Sequence, residues 1–458
     1  MAKKKTSLNP KLLAAQEFEK WYEKLQEKIP EISLVSFPEK KYLVQGTSNI
    51  SAPIHRWYSL KESYSSELPL WVLEHIKNKY SLNPQKVLDP FMGGGTTGVS
   101  LGKQNLTVYG VEYNPFIRFV SATKSIVPKV NLKEFKDAIK KLSKTDFERE
   151  EIDIPEISTL RRRIYISKKN LKIVINFQKE LNKLKISENT KMLLRIGVAS
   201  SIDSAFNLRK DGRALRYSPK RAVSNVRGII FDKYSEIQSD IETFRKESKL
   251  RDKNLFEVLE GTSINLKNLK KNGQKYSLPD NEFDLVLYSP PYLNNFDYSE
   301  VYKLELWLMG FVSDYVSWRN LRLGTLRSHP SVRFNETEAL KNNELAAPIY
   351  NKLVEMGDSI CIPKDRQEVL KRTILGYFDD MFLAFKEQFR VMKQGGILCF
   401  VVANSRHYYL PIATDIILAE ISRCAGFEPL ELFSIRKRNG RTRQKDFLRE
   451  TAVFIKKP

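Results

Sequence analysis

Cysteine is nearly absent from this 458-residue chain. It occurs only as Cys361, Cys399 and Cys424, with no C-x-x-C spacing and no even framework. That excludes a disulfide scaffold and a zinc cluster, and it fits a reducing, cytoplasmic compartment. Histidine is almost as scarce. The four residues His55, His75, His329 and His407 form no ligand pattern, so no metal site is expected. No apolar run approaches the roughly 18 residues of a membrane-spanning helix. The opening Met-Ala-Lys-Lys-Lys-Thr lacks the apolar stretch of a secretory signal. Internal repeats and low-complexity tracts are missing too, which argues against a solenoid or a disordered chain.

What is abundant is positive charge on a chain that can fold. Lys plus Arg number 77 against 54 Asp plus Glu, a formal charge of +23, while 41% of residues are hydrophobic. A chain with both a core and this imbalance meets a polyanion: DNA, RNA or anionic lipid. The charge is uneven. Residues 125–250 carry 29 basic and 17 acidic residues, a net of +12, about half the total.

Hydrophobic periodicity predicts a helix over about 8–30 and another over about 66–79. Lys86-Val87-Leu88 reads as a strand stopping at Asp89-Pro90. A glycine-rich turn follows, then a helix over about 96–104 and a second strand over 106–111 that ends at Glu112. This strand–loop–helix–strand unit opens a parallel α/β sheet. Strand patterning returns at 255–259 and 283–288. An irregular stretch spans 312–370. A long helix over about 374–392 leads through Gly395-Gly396 into the strand 397–402, and 428–457 reads as two strands around a basic turn.

Gly93 to Gly98 satisfies G-x-G-x-x-G. Glycines let backbone approach a ligand, and the helix N-terminus behind them favours negative charge. Val99 follows Gly98 where a nucleoside triphosphate loop needs lysine. Asp89-Pro90 interrupts the run that a nicotinamide loop would keep. A carboxylate at Asp89 repels a pyrophosphate but suits a ligand with a cationic amino group, such as S-adenosylmethionine. Glu112 is placed to accept both hydroxyls of a ribose. The bland alternative makes Asp89 a turn cap and Glu112 a surface acid.

Ser289-Pro290-Pro291-Tyr292 ends the strand 283–288. Two prolines remove two backbone donors. The turn therefore offers acceptors, the Ser289 hydroxyl and the Pro290 carbonyl, beside the flat face of Tyr292. That set suits an exocyclic amine on a planar ring. Alone, it also suits a rigid surface turn.

Together, Asp89-Pro90-Phe91-x-Gly93-x-Gly95-Thr96-Thr97 and Ser289-Pro290-Pro291-Tyr292 resemble the cofactor and catalytic motifs of the S-adenosylmethionine-dependent DNA amino-methyltransferases. The serine form is similar to that of the N4-cytosine enzymes more than to the Asp or Asn form of many N6-adenine enzymes. The resemblance covers roughly 47–124, 253–310 and 371–458. It implies a Rossmann-like class I methyltransferase, α/β, with a mostly parallel seven-stranded sheet and helical insertions. The expected divisions are an N-terminal helical extension (1–46), a cofactor half (47–124), a basic helical insertion for target recognition (125–250), a catalytic segment (251–311), a second insertion (312–370) and C-terminal core strands (371–458).

The resemblance implies S-adenosylmethionine as cofactor. Asp89, Pro90, Phe91, Gly93, Gly95, Thr96, Thr97, Glu112, Tyr113, Asn114, Thr262 and Tyr58 would hold it. Tyr58 enters through a loose match of Trp57 to Ser65 to an element flanking the methionine moiety. Where the family often has Gly-Asp, this chain has Glu260-Gly261-Thr262-Ser263. Ser289, Pro290, Pro291 and Tyr292 would act on a flipped base, the acceptors freeing the amine lone pair for direct attack on the methyl group. C5 methylation is disfavoured, since no cysteine sits in a catalytic loop. DNA is the expected partner, with a cognate restriction endonuclease unless the enzyme is solitary; no membrane partner is expected. The location would be cytoplasmic, at the nucleoid.

Two basic clusters are expected on DNA: Arg209, Lys210, Arg213, Arg216, Lys220 and Arg221, and then Arg436, Arg438, Arg441 and Arg443. Arg161 to Arg163 is ambiguous. Phe296 to Trp307 reads as a helix packed on the core. N4 of cytosine in duplex DNA is the preferred target. N6 of adenine, an RNA amine, and a non-catalytic nucleic-acid-binding subunit are the alternatives.

Overall fold

A computed structural model describes residues 10–33, 38–149, 151–155, 157–162, 165–211, 214–335, 337–360, 362–437 and 448–458. Its strands are β1 (Glu31–Ser33), β2 (Lys86–Asp89), β3 (Thr107–Glu112), β4 (Leu208–Asp211), β5 (Ala214–Tyr217), β6 (Glu257–Glu260), β7 (Leu269–Lys271), β8 (Gln274–Tyr276), β9 (Phe283–Tyr288), β10 (Met392–Ala403), β11 (Ser405–His407), β12 (Leu410–Ile412), β13 (Glu428–Lys437) and β14 (Arg449–Lys456).

The main sheet has ten strands in the order β1-β13-β14-β10-β9-β2-β3-β6-β7-β8. The expected seven are the inner run from β13 to β6. Three additions were illegible: β1, parallel to β13 at one edge, and the β7–β8 hairpin at the other. Only β14 breaks the parallel core, lying antiparallel between β10 and β13. β9 is buried along nearly its whole length, as its continuous apolar run requires of a strand covered on both faces.

The topology brings the two motif turns together. β2 lies parallel to β9, with Val87 opposite Leu285 and Leu88 opposite Val286. On its other side β2 pairs with β3. The chain therefore winds away from β2 in both directions, and a crevice opens at the carboxyl ends of β2 and β9. Asp89 and Ser289, remote in sequence, leave adjacent strands at this crevice.

Helices cover both faces. On one, Leu132–Leu142, Lys168–Lys183, Glu188–Ala205 and Val226–Glu247 join a single apolar cluster with Val87, Leu285 and Cys399. Asp240 ties this bundle to the N-terminal part by accepting from the Ile54 amide (2.8 Å), the Trp57 indole (2.9 Å) and Arg56. On the other face, Pro10–Gln26 packs on Thr414–Cys424, and the Tyr22 hydroxyl donates to the Pro411 carbonyl at 2.9 Å.

The stretch read as irregular carries helices at Tyr315–Leu323 and Ala347–Asp358, and the long helix begins at Lys364, not near Ile374. The first of these is marked by a capping box, with the Asp314 carboxylate accepting from the Ser317 amide. No helix among the described residues is long and apolar enough to cross a membrane.

Candidate active site and nucleic-acid interface

Two adjoining cavities occupy the crevice. The first is lined by Pro90 to Gly94, Thr96, Val111 to Asn114, Gly261 to Ile264 and the segment 324–329. Counting its open mouth it encloses about 1170 Å³. The second cavity is lined by Val44 to Thr47, Ile50, Ser59 to Tyr64, Asn294, Phe296, Arg436 and Glu450.

The Ser289–Tyr292 turn is the partition. Pro291 faces the first cavity, Pro290 and Tyr292 face the second, and Ser289 faces both. The Ser289 hydroxyl points along the turn to the Tyr292 hydroxyl at 3.3 Å. Leu60, Glu62, Ser63, Tyr64 and Tyr298 also line both cavities, so one strap, 60–64, closes the pair from the side.

The glycine loop is held from behind. Gly95 takes φ +83° as the residue before the helix Thr96–Gly102, a conformation that strains any side-chain-bearing residue. Asp89 is buried and does not line the cavity. Its carboxylate accepts from the Phe91 amide (3.0 Å), the Thr97 hydroxyl (2.6 Å) and the Tyr64 hydroxyl (3.3 Å). Burial pushes its pKa up to about 7. Its observed part is to fix the turn, with Thr97. Gly95 likewise stands behind the wall, against Ser121 and Phe256.

Glu112 does face the cavity. One carboxylate oxygen accepts from the Gly93 amide at 3.0 Å and the other from the Asn114 amide at 2.7 Å. The bonds aim the carboxylate across the glycine loop, and burial raises its pKa to about 7. Asn114 caps the following helix, its side chain accepting from the Phe116 and Ile117 amides. Pro90, Phe91, Gly93, Thr96, Tyr113, Asn114 and Thr262 all line the cavity. Glu260 pairs instead with Arg118 and Lys270 and is not in its wall. At the end of the third core strand, Gly261 to Ile264 therefore present their own backbone and hydroxyls.

Tyr58 is displaced from its expected role. Its ring is buried and its hydroxyl donates to Glu305 at 2.8 Å, away from the first cavity. The lining residues of that element are Leu60 and Glu62 to Tyr64. Sequence reasoning missed Lys124, a buried lysine donating to the Tyr58 carbonyl (2.8 Å) and the Gly94 carbonyl (2.9 Å). It braces the strap against the glycine loop, and burial lowers its pKa to about 7. Also missed was the roof of the first cavity, Gly324 to Leu326 with Ser328 and His329 from the second insertion. Arg327 pins that roof by donating to Asp380 and Asp379 of the long helix. Phe296 and Tyr298, read as core packing, are packed but also wall the second cavity.

The first basic cluster splits by face. β4 and β5 form a hairpin in which Arg209 pairs with Arg216. Both are exposed, 63% and 72%, and both lie near Asp211. Lys220 is exposed in the following turn. Lys210 points inward. It donates to Glu305 and to the Tyr58 hydroxyl (2.9 Å) and sits 4.5 Å over the Tyr302 ring. Arg221 is a staple, bonding Asp203 at 2.5 Å and the Asp203 and Leu208 carbonyls. Alternation along β4 sends Arg209 and Lys210 to opposite faces, while Arg221 is held by the loop contacts just described. Lys210 and Arg221 are thus corrected from DNA contacts to structural anchors. Arg436 lies 2.9 Å from the Glu450 carboxylate in the wall of the second cavity, not on an open face. Arg213, Arg438, Arg441, Arg443 and Arg163 lie outside the described residues. No cluster of metal-ligating side chains occurs among the described residues.

No protein-family model matches the chain. Individual proteins do. The type II methyltransferase M.BsoBI of Geobacillus stearothermophilus is 25% identical over 445 residues, 88% of this chain and 84% of its own length. M.AvaI of Nostoc sp. is 25% identical over 438 residues, and M.MvaI of Kocuria varians 23% over 427 residues, both likewise named type II methyltransferases. Each alignment spans both motif turns' host strands and most of the insertions, since it takes in at least 87% of the chain. Along most of its length, then, the chain is similar to proteins named type II methyltransferases, which supports a DNA methyltransferase family.

Proposed function

We propose that the protein is an S-adenosylmethionine-dependent, site-specific DNA methyltransferase that modifies the N4 amine of cytosine in duplex DNA. One observation carries the reading: Ser289 stands in the wall shared by two cavities, with the glycine loop and Glu112 in one and Tyr292 in the other. Ser289 is thus within reach of a group transferred from the first cavity to the second.

The first cavity fits the cofactor by the chemistry of its walls. Glu112 offers a fixed carboxylate to a ribose. Gly93, Gly94 and Thr96 offer backbone at the helix start, and Gly261 to Ser263 offer an edge to the adenine. S-adenosylmethionine, when bound, supplies an electrophilic methyl group. The protein does the rest by positioning. The Ser289 hydroxyl and the Pro290 carbonyl accept the two hydrogens of an exocyclic amine, which draws its lone pair out of the ring. Tyr292 provides the stacking face for an extruded base, with Phe296 and Tyr298 beside it. Arg209 and Arg216 supply phosphate contacts outside the chamber. The serine form of the turn supports cytosine over adenine. A restriction endonuclease of the same specificity is the partner this reading implies, and nucleoid DNA in the cytoplasm its place of work.

The test is direct. Purified protein is incubated with labelled cofactor and duplex DNA of mixed sequence, and the nucleosides are identified by mass spectrometry. N4-methylcytosine is the expected product. N6-methyladenine would overturn the base assignment alone, transfer only to RNA would overturn the substrate class, and no transfer would overturn the activity.

A further inference from the structure

The rim of the second cavity carries a side chain that neither the fold nor the chemistry above uses. Ile50 is 67% exposed and at the same time lines this cavity. Single exposed apolar residues are ordinary on protein surfaces. Two features set this one apart: where it stands and how stiffly it is held.

Ile50 ends the short 3-10 turn Gly46–Ile50. That turn is fastened to the strap facing both cavities. The buried Asn49 amide donates to the Tyr64 carbonyl at 2.8 Å, and its oxygen accepts from the Ser66 amide at 2.9 Å. Ser48 and Ser65 share a hydroxyl bond at 2.8 Å. Gly46 lies flush on Ser63, where a Cβ would come within 2.4 Å of its hydroxyl, so the turn can sit this low only with glycine there. A β-branched side chain is itself stiff at its first torsion. The result is a solvent-exposed apolar side chain on a braced turn in the wall of the second cavity, which Gln45, Thr47 and Ser59 also line. The basic hairpin reaches the same rim, since Lys61 lines the cavity and its ammonium donates to the Lys210 carbonyl at 3.0 Å.

A base drawn out of a duplex leaves a gap in the stack, and an inserted apolar wedge is a physical means of filling such a gap. We propose that Ile50 is that wedge: it enters the DNA stack at the vacated position while the target base occupies the cavity behind it. The inference rests on the functional reading above, and it adds an interaction that the catalytic turn does not supply.

The experiment uses the full chain and two duplexes containing the site mapped by sequencing methylated DNA from expressing cells. In one duplex the target base is normally paired; in the other it stands opposite an abasic position, where extrusion is already easy. Ile50→Ser should lower turnover on the paired duplex by roughly tenfold and recover most of it on the abasic one, because the lost step is opening. Ile50→Leu should stay near wild type on both. Equal loss on both duplexes, or wild-type turnover by Ile50→Ser on the paired one, overturns the wedge while leaving the methyltransferase reading intact. Failure of the wild-type protein to methylate either duplex overturns that reading and the wedge with it.

Discussion

The two cavities on either side of Ser289 are built differently. The first rests on strand ends: the loops after β2, β3 and β6 form its floor, and main-chain bonds such as Gly93 to Glu112 set its shape. The second is assembled mostly from segments outside the regular strands, the turn 44–50, the strap 59–64 and the chain after the catalytic turn, with Arg436 and Glu450 reaching in from β13 and β14. A site on strand ends is a property of the fold and can serve one cofactor in many relatives. A site on loops can be reshaped for a particular target without disturbing the sheet. The divide runs along the strap 60–64, Ser289 and Tyr298, which face both cavities.

Four measurements would break or sharpen this contrast. The largest effect is expected where both cavities share support. Lys210→Met leaves Glu305, 0% exposed, without its cation and removes a partner of Tyr58 at the base of the strap. Breaking a buried pair on one side costs about 3–5 kcal/mol, so denaturant unfolding should show that loss. Unchanged stability would mean that the strap is held by other contacts. Next is the partition itself. Ser289→Ala should lower kcat roughly 100-fold, the scale of losing one positioned hydrogen-bonding group, with cofactor affinity kept. Equal loss of cofactor binding would show that Ser289 belongs to the first cavity rather than to both.

Glu112→Gln should weaken cofactor binding about tenfold, because hydrogen bonds to a charged acceptor contribute about 1.5–3 kcal/mol. The pH dependence carries the sign. Burial holds the Glu112 pKa at about 7, so the ionised acceptor is depleted as pH falls through 7. Wild-type cofactor affinity should therefore rise as pH climbs through 7, and the Gln variant should be flat. Stability of the ligand-free protein runs the other way: charging a buried carboxylate is penalised in the fold, so this group's contribution is lost as pH rises from the ordinary carboxylate range through 7. Calorimetric titrations across that interval decide it. The smallest effects belong to the exposed hairpin. Arg209→Ala and Arg216→Ala should each reduce the slope of log affinity against log salt by about 1 and leave unfolding unaltered. A change in melting instead would make them anchors like Lys210.

The sheet was legible because its signals are local. Apolar runs ending in Asp89, Glu112 and Ser289 mark strands and their carboxyl ends, and the parallel α/β pattern brings such ends to one edge. What escaped was whatever depends on contacts between distant segments. Lys210 and Arg216 look alike in a basic run, and only the facing of a strand against Glu305 separates them. Asp89 has the composition of a ligand contact, but Tyr64 and Thr97 claim it first. The roof at Gly324 to His329 lies in a stretch with weak periodicity, tied by Arg327 to Asp379 and Asp380 of the long helix, which begins at Lys364 rather than near Ile374. The loose match over Trp57 to Ser65 does not separate Tyr58, whose hydroxyl goes to Glu305, from Tyr64, whose hydroxyl goes to Asp89 and Thr97.

The strap 60–64 has one further consequence. Because its residues face both chambers, no displacement of it is private to either. A ligand that draws Glu62 and Ser63 toward the glycine loop widens or narrows the neighbouring space in the same motion. Thermodynamic reciprocity then requires that occupancy next door alter affinity for that ligand by an equal factor.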